Sequence, residues 1–441
     1  MKNKKILLIF FIFIITYILS TFSTTSFAET SDITTYSSTC LLMEASTGKI
    51  IYEKNAYEKT YPASTTKIMT AILALENCQL TDTATVSHDA IFTVPVGYSH
   101  ANLVEGEVVT IDQLLHVLLI PSANDAANVL AEHIAGSVDS FATMMNTKAA
   151  EIGCLNTHFV NANGIHSKDH YSTAYDLALM GRYAMQNETF REIVSTTRYT
   201  LPATNRYTEV NRFFNTTNEL LKVDNRDRVD NYYYQYATGI KTGYTDAAGD
   251  CIVASAKKDD IEYIIVILGA DKTENGLSAR YLDCKNLFNY AFENYTTKVI
   301  NEENEVLKQV TISKASNRTK NLDVVVKDKI TVLLKNGTNI NNITPTIEYT
   351  SDLTAPISKN TVIGTITYNI DGNTYTSDLL AGSDVVESHG FTTFLTILSV
   401  LVVLFFLHKL LNIDTKKKRK NSTKKKSSKK SKRDRDNYLY W

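Results

Sequence analysis

A serine and a lysine, three residues apart, open a long apolar stretch early in the chain. They are Ser64 and Lys67 of the segment PASTTK, and the apolar run at residues 68–75 follows directly. Residues three apart share one face of a helix, so this hydroxyl and this amine can meet. A serine is a poor nucleophile unless a neighbour takes its proton, which a lysine of lowered pKa can do. The pair predicts a nucleophile and its general base.

The spacing Ser-x-x-Lys is weak evidence by itself, because one or two matches are expected by chance in a chain this long. The pairs Ser46/Lys49 and Ser255/Lys258 also match. Ser46 falls in a predicted hairpin turn, and Ser255 falls in a strand-like run. Of these serines, only Ser64 starts an apolar helix, where unpaired backbone N–H groups would face a developing anion.

Two further polar groups lie downstream. Ser122 and Asn124 separate two apolar helical segments, where they either face a cleft or cap the second helix. The tripeptide KTG occurs once, at residues 241–243, whereas about a tenth of an occurrence is expected by chance. A fixed cation such as Lys241 suits a substrate that ends in a carboxylate. A second lysine nearby would also lower the pKa of Lys67 and help it act as a base.

The two ends of the chain predict export and membrane attachment. Residues 1–28 have the layout of a signal peptide cleaved after Ala28, with a retained anchor as the alternative. Residues 389–411 are long and apolar enough to be a transmembrane helix. Residues 412–441 form a basic tail, with thirteen Lys or Arg against two Asp from 416 onward. The positive-inside rule places this tail in the cytoplasm and residues 29–388 outside the cell.

Composition narrows the classes of partner. Residues 29–388 contain 29 Lys or Arg and 44 Asp or Glu, about fifteen net negative charges, which argues against a nucleic-acid partner. The basic tail alone could bind nucleic acid, but a lysine cluster beside a membrane span more often meets anionic lipids. The five cysteines have no zinc-type spacing and are interpreted as small core residues, with a disulfide left open. The loop histidines between residues 158 and 170 are interpreted as turn or capping residues, and no metal or cofactor is predicted.

The order of predicted elements indicates an α+β fold. Two strands at residues 40–54 precede a helical region, and two further strands and a closing helix at 279–295 follow KTG. We expect the first and last strands to meet in one sheet beside the helices. From about residue 298 the sequence becomes rich in β-branched residues, which predicts a small all-β module that extends to residue 388.

The motifs taken together resemble a known family. The order Ser-x-x-Lys, Ser-x-Asn, Lys-Thr-Gly is similar to penicillin-binding proteins and serine β-lactamases. The flanking segments PASTTKIMT, PSANDAA, FVNANGI, HYSTAYDL and GIKTGYT resemble the low-molecular-weight D-alanyl-D-alanine carboxypeptidases of peptidase family S11, across residues 35–295. This chain departs from the family pattern at Ala123, often Gly, and in NANGI at 161–165, often Asn-Pro-x-Gly-Leu.

The resemblance implies a serine β-lactamase/transpeptidase-like domain, an antiparallel sheet flanked by helices, at residues 29–297. A C-terminal β-domain at 298–388, a transmembrane helix at 389–411 and the cytoplasmic tail would follow. The implied substrate is the peptidoglycan stem peptide ending in D-Ala-D-Ala, with β-lactams as covalent inhibitors. The implied activity is removal of the last D-Ala through a serine ester.

The resemblance also assigns roles to individual residues. Ser64 would be the nucleophile and Lys67 its base, Ser122 would relay a proton to the leaving amine, and Asn124 would position Lys67 and the substrate amide. The substrate carboxylate and backbone would be bound by Lys241, Thr242, Gly243 and Tyr244. The oxyanion hole would consist of the backbone N–H groups of Ser64 and Tyr244.

Three alternatives remain open from sequence. A serine β-lactamase would require a deacylating glutamate, for which Glu151, Glu188 and Glu192 are candidates, although none lies in the expected loop at residues 161–170. A D,D-endopeptidase would use the same residues. A non-catalytic β-lactam sensor or wall-binding module would bind penicillin without turning over a D-Ala-D-Ala peptide.

Overall fold

The computed structural model describes residues 33–223, 231–390 and 393–412. The predicted signal peptide at 1–28 and nearly all of the basic tail lie outside these residues. The chain divides into two compact units. The first runs through Lys298 and includes two short later segments, Leu333–Thr338 and Asp371–Asn373, and the second comprises the remainder of the C-terminal part.

The first unit is built on a mixed set of strands and helices. Its strands are β1 (Thr39–Glu44), β2 (Ile50–Lys54), β3 (Thr83–Thr85), β4 (Val108–Thr110), β5 (Arg198–Leu201), β6 (Arg212–Asn215), β7 (Ala237–Thr245), β8 (Gly249–Lys258) and β9 (Ile261–Ala270). Its helices are α1 (Lys67–Asn77), α2 (His88–Phe92), α3 (Ile111–Leu119), α4 (Asn124–Ala135), α5 (Val138–Ile152), α6 (Ala174–Ala184), α7 (Glu188–Ser195) and α8 (Ala279–Asn294).

A five-stranded antiparallel sheet, in the order β2-β1-β9-β8-β7, organises this unit. The first strand pairs directly with the last, with Leu41 opposite Val266. The sequence-based expectation that these strands meet is therefore confirmed. Strand β7, which carries the KTG tripeptide, lies at one edge of the sheet.

Both faces of the sheet are buried, because side chains alternate between two apolar cores. Leu41 and Met43 of β1 pack into the core that contains α1, α3 and α4, whereas Cys40 and Leu42 pack into the core that contains α8. The apolar run that follows Ser64 becomes α1, whose residues 67–74 are all buried. The KTG strand thus pairs with β8 in the sheet and packs against the turn that leads into α1.

The second unit contains an all-β module, as the sequence predicts. The strands that follow α8 are β10 (Tyr295–Asn301), β11 (Val306–Thr311), β12 (Asn321–Val326), β13 (Ile330–Lys335), β14 (Thr346–Tyr349), β15 (Val362–Ile370) and β16 (Asn373–Ala381). Of these, β10 and β13 each contain residues of both units. Five of them form a sheet in the order β11-β12-β16-β15-β14. The β-rich run at residues 322–334 divides into β12 and β13. Asp371 and Gly372, with φ of 47° and 80°, supply the left-handed residues for a tight turn between β15 and β16.

The last described helix is α9 (Thr393–Asn412). It has 20 residues and a mean hydropathy of 2.4, which make it long and apolar enough to cross a membrane. Its side chains are exposed along its whole length. An exposed apolar helix of this kind is a candidate membrane anchor.

Candidate active site

Ser64 lies in a single 3-10 turn, Ala63–Thr66, immediately before α1. Ala63 has a φ of 48°, an uncommon conformation for a residue with a side chain. The loop around Gly164 packs tightly against this turn. A Cβ on Gly164 would overlap the carbonyl oxygen of Ala63, and the φ of 84° at Gly164 also favours glycine. The serine is therefore held at a fixed place by a close backbone contact.

Lys67 is the first residue of α1 and is 0% exposed. Its Nζ lies 3.0 Å from Ser64 Oγ, 2.7 Å from Asn124 Oδ1 and 2.6 Å from the backbone oxygen of Asn163. The last two are amide oxygens, which only accept hydrogen bonds. A neutral amine has two N–H donors and one lone pair. It would donate both hydrogens to the amide oxygens and keep its lone pair for the Ser64 hydroxyl.

The electrostatic environment favours that neutral form. Burial lowers the pKa of Lys67 well below its ordinary value, and the positive charge of Lys241 lowers it further, against a smaller opposite effect of Asp125. Burial, followed by the charge of Arg280, also lowers the pKa of Lys241 to about 7. The pKa of each buried lysine of the site is thus lowered, which favours the neutral form of both amines.

The residues between α3 and α4 face the site. Ser122 is buried and has a φ of 70°, a strained conformation that costs on the order of 1 to 3 kcal/mol and is common at functional sites. Neither Ser122 nor Asn124 caps α4. The N-cap residue is Ala123, and no side chain at the N-cap accepts a hydrogen bond from the first turn of the helix. Asn124 instead spans the site, since its Oδ1 accepts from Lys67 and its Nδ2 donates to the Ser99 carbonyl at 2.9 Å.

Strand β7 passes directly beside the serine. A Cβ on Gly243 would lie 2.9 Å from the backbone nitrogen of Ser64, so only glycine lets the strand come this close. Thr242 Oγ1 lies 2.6 Å from Thr217 Oγ1, and the Lys241 Nζ donates to the Thr242 carbonyl at 2.9 Å. The KTG tripeptide and the nucleophile are therefore brought together by main-chain contact.

The predicted residues surround one cleft of about 430 Å³. Ser64, Ser122, Asn124, Thr242, Gly243 and Tyr244 line it. Lys67 and Lys241 are buried beneath its surface. The cleft is also lined by residues that we had not assigned from sequence: Val96, Gly97, Tyr98, Ser99, Thr217, Thr245, Asp246 and Arg280.

Comparison with protein-family models decides the family. Residues 25–272, more than half of the chain, match the peptidase S11 family, described as D-alanyl-D-alanine carboxypeptidase. This chain belongs to the D-alanyl-D-alanine carboxypeptidase family. Residues 295–387 match a second model, the C-terminal domain of penicillin-binding protein 5.

Curated members of the carboxypeptidase family match most of the chain. The D-alanyl-D-alanine carboxypeptidase DacF of Bacillus subtilis is 31% identical over 402 residues, which cover 90% of this chain and 97% of DacF. DacC of Escherichia coli is 31% identical over 80% of this chain and 84% of its own length. The similarity therefore includes both the catalytic part and the β-rich part.

Solved structures of similar proteins support the same fold. Penicillin-binding protein 5 of Haemophilus influenzae covers 81% of this chain with a TM-score of 0.64 at 24% identity. The Streptomyces K15 DD-transpeptidase is 33% identical, covers 60% of this chain and has a TM-score of 0.53. The α+β architecture predicted from the order of strands and helices is the fold of this carboxypeptidase, and an all-β domain follows it.

Sequence reasoning missed several residues that support the carboxypeptidase site. The backbone oxygen of Asn163 accepts a hydrogen bond from Lys67. The sequence had marked the segment around Asn163 only by its resemblance to family S11. Arg280, in the first turn of α8, donates to the Gly243 carbonyl at 3.0 Å. No local motif marks Arg280, because only the folded sheet brings α8 beside β7.

His170 also contacts the turn that carries the nucleophile. Its Nε2 lies 2.8 Å from Thr66 Oγ1, and its Nδ1 accepts from the Val160 N–H at 3.2 Å. Burial lowers the pKa of His170 to about 3, with smaller contributions from His158, Lys67 and His166. A neutral imidazole that donates from Nε2 satisfies both neighbours, so His170 braces the turn that carries Ser64.

Proposed function

We propose that this carboxypeptidase removes the terminal D-Ala from peptidoglycan stem peptides through an ester on Ser64. The observation that supports this most strongly is the surroundings of Lys67. Two amide oxygens occupy the N–H donors of the neutral amine, so its lone pair is directed to the Ser64 hydroxyl. Burial supplies the lowered pKa that a lysine base requires.

The proposed reaction has two halves. Ser64 Oγ attacks the carbonyl carbon of the penultimate D-Ala while Lys67 takes its proton. Lys67 then passes this proton through Ser122 to the nitrogen of the terminal D-Ala, the C–N bond breaks, and the shortened peptide remains as an ester on Ser64 with Lys67 neutral again. In the second half a water molecule loses its proton to Lys67 and attacks the ester, and the proton returns to Ser64 Oγ.

Substrate binding is assigned to the KTG strand. Lys241 and Thr242 would bind the terminal carboxylate, with Gly243 allowing the close approach of backbone and substrate. The backbone N–H groups of Ser64 and Tyr244 would stabilise the oxyanion. The close packing of Gly243 on the Ser64 nitrogen supports this assignment, because it sets the two N–H groups on neighbouring backbones.

A serine β-lactamase is disfavoured by the carboxylates of the cleft. Among the described residues that line it, Asp246 is the one carboxylate, and no glutamate contributes. Glu151, a candidate from sequence, forms an ion pair with Lys148 at 2.9 Å. Without a base dedicated to deacylation, an ester formed with penicillin would persist. We therefore propose that β-lactams act on this protein as covalent inhibitors.

We further propose the layout of the whole chain: a signal peptide at 1–28, a catalytic domain at 29–297, a β-domain at 298–388, a membrane span at 389–411 and a cytoplasmic tail at 412–441. The catalytic domain would face the cell exterior, where its substrate is. The apolar, exposed helix α9 supports the anchor, and the thirteen basic residues after it support the orientation.

The test is release of D-alanine from an acetylated Lys-D-Ala-D-Ala peptide. We expect the wild-type protein to release it and Ser64→Ala to lose activity by several orders of magnitude, because the covalent route is removed. Penicillin labelling of Ser64 without D-alanine release would support the sensor alternative instead.

A further inference from the structure

Two buried amide side chains lie behind the loop oxygen that accepts a hydrogen bond from Lys67. They are Asn163, which is 4% exposed, and Asn128, which is 3% exposed. Asn163 Nδ2 donates to Asn128 Oδ1 at 3.0 Å, and Asn163 Oδ1 accepts from the Ile165 N–H at 2.9 Å. Neither residue is among the described residues that line the cleft. Because it is costly to bury a polar side chain, their role lies in the groups that they hold in place.

Backbone groups fix the direction of these hydrogen bonds. Asn128 Nδ2 donates to the Ala90 carbonyl and to Thr93 Oγ1, both at 3.1 Å. A carbonyl only accepts, so the amino group of Asn128 must face Ala90 and its oxygen must face Asn163. At the other end the Ile165 N–H only donates, so the oxygen of Asn163 must face it. The two amides therefore have one arrangement that satisfies every partner.

Helix α4 holds both amide oxygens that contact Lys67. Asn124 and Asn128 are four residues apart and therefore lie on one face of this helix. Asn124 contacts Lys67 directly, with 2.7 Å between its Oδ1 and Lys67 Nζ. Asn128 acts on the second contact, because it binds Asn163, whose backbone oxygen lies 2.6 Å from Lys67 Nζ. The second oxygen thus depends on a side chain of the helix that supplies the first.

The loop that contains Asn163 has a separate attachment to the core. Thr70 Oγ1 donates to the Ala162 carbonyl at 2.5 Å, and Asn161 Oδ1 accepts from the Gly164 N–H at 2.7 Å. These bonds hold the loop without Asn128. Among the described hydrogen bonds, the Asn163 side chain reaches another element only through Asn128. Loss of Asn128 should therefore release the Asn163 peptide unit rather than the whole loop.

We propose that Asn128 is a positioning residue for Lys67. By holding the side chain of Asn163, it keeps the Asn163 carbonyl aimed at one N–H of the amine and so keeps the lone pair directed to Ser64. Such aim matters, because a misplacement of about 1 Å can cost roughly a hundredfold in rate. This inference rests on the proposed function of Lys67 as the base, and it adds a residue that none of the three motifs contains.

The experiment measures acylation of the full-length protein by a fluorescent penicillin, both as a limiting rate at saturation and as a half-saturating concentration. In Asn128→Ala the limiting rate should fall roughly tenfold, less than for a full displacement, because Asn124 still holds the amine. The half-saturating concentration should not change, since Asn128 is not among the described residues that line the cleft. A general loosening of the site would change both quantities.

Asn163→Ala tests the same link from its other end and keeps the backbone oxygen. It also frees the Ile165 N–H, so the limiting rate should fall at least as far as in Asn128→Ala. If Asn128 acts through Asn163, the double variant should match Asn163→Ala, whereas independent effects would multiply. A wild-type limiting rate in Asn163→Ala overturns the proposal even where Asn128→Ala does not fold.

The control is Asn301→Ala in the β-module. Asn301 is also buried and also uses both ends of its amide: its Oδ1 accepts from the Tyr368 hydroxyl at 2.7 Å, and its Nδ2 donates to Glu305 at 3.1 Å. This variant loses the same kind of buried amide, so it should lose stability but keep the wild-type limiting rate. Equal falls in Asn301→Ala and Asn128→Ala would show that lost stability explains both, and would contradict the positioning role.

The two proposals fail in different ways. A wild-type limiting rate in Asn128→Ala, a raised half-saturating concentration, or losses that multiply in the double variant overturns the positioning role. Acylation of Ser64 and release of D-alanine by the wild type would still support the proposed function. A wild-type protein that neither forms an ester on Ser64 nor releases D-alanine contradicts the proposed function and the positioning role together.

Discussion

The two buried lysines determine how the site responds to pH at the scale of single residues. Lys67 acts as a base only when it is neutral, and Lys241 binds a carboxylate best when it is charged. Because the Lys241 charge lowers the pKa of Lys67, the cation that we propose binds the substrate also favours the neutral form of Lys67. The sequence predicted this relation by placing the two lysine motifs in one site, but it could not specify that both lysines are buried.

Removing the Lys241 charge should change the pH dependence of acylation. In Lys241→Gln the pKa of Lys67 rises, so the acidic limb of the penicillin acylation rate at saturation should move to higher pH. The acylation rates of the wild type and Lys241→Gln should differ mainly below about pH 7, where Lys241 of the wild type carries its charge. Stopped-flow acylation measures this, with Lys257→Gln as a control. An unchanged acidic limb would show that burial alone sets the pKa of Lys67.

His170 should make the fold sensitive to acid. Its pKa is about 3 in the folded protein and about 6.5 when unfolded, so the unfolded chain binds the extra proton between these values. Stability should therefore fall by about 1.4 kcal/mol per pH unit as pH drops from 6.5 toward 3. In His170→Gln, which can keep both hydrogen bonds, the urea midpoint should vary less with pH over this window. The exposed His133→Gln should retain the wild-type slope, and equal slopes in all three proteins would contradict this account.

Main-chain contacts position the nucleophile at the scale of elements. The loop containing Gly164 and strand β7 at Gly243 both touch the short turn before α1, and no side chain fits at either contact. The sequence indicated that these segments belong to one site. It did not indicate the contacts themselves, because a glycine required by a close approach looks the same in sequence as a glycine in an ordinary turn.

Two glycine-to-alanine substitutions distinguish a glycine that is required by a close contact from one that is required only by its backbone conformation. Gly164 and Gly136 have φ values of 84° and 78°, but a Cβ on Gly164 would overlap Ala63, whereas nothing lies within 4 Å of one on Gly136. Both alanine variants carry the conformational strain, on the order of 1 kcal/mol. Only Gly164→Ala should also displace Ser64 and reduce the acylation rate by roughly a hundredfold. Similar acylation rates in folded samples of the two variants would refute the positioning role of the loop.

The helix boundaries show what local sequence can and cannot determine. The apolar helical segment predicted before Ser122 is α3, which begins with a capping box between Thr110 and Gln113. The polar pair after it was ambiguous between a cap and a cleft, because both uses place Ser and Asn ahead of a helix. The left-handed conformation of Ser122 and the contact of Asn124 with Lys67 depend on packing between distant elements.

At the scale of the whole molecule, the apolar helix α9 should determine where the enzyme acts. A chain ending at residue 388 should leave the membrane fraction, because it lacks the one candidate span among the described residues. It should still release D-alanine from a soluble peptide, since the cleft belongs to the first unit. Fractionation of full-length and shortened proteins tests this. Retention of the shortened protein on membranes in high salt would indicate a second attachment.

The central claim is that Ser64 forms a covalent ester. Mass spectrometry of the intact protein after exposure to penicillin tests this most directly, with peptide mapping to locate the adduct. We predict one added penicillin per chain, located on Ser64, and none on a folded Ser64→Ala protein. An adduct that persists in Ser64→Ala, or that maps to another residue, would contradict the account.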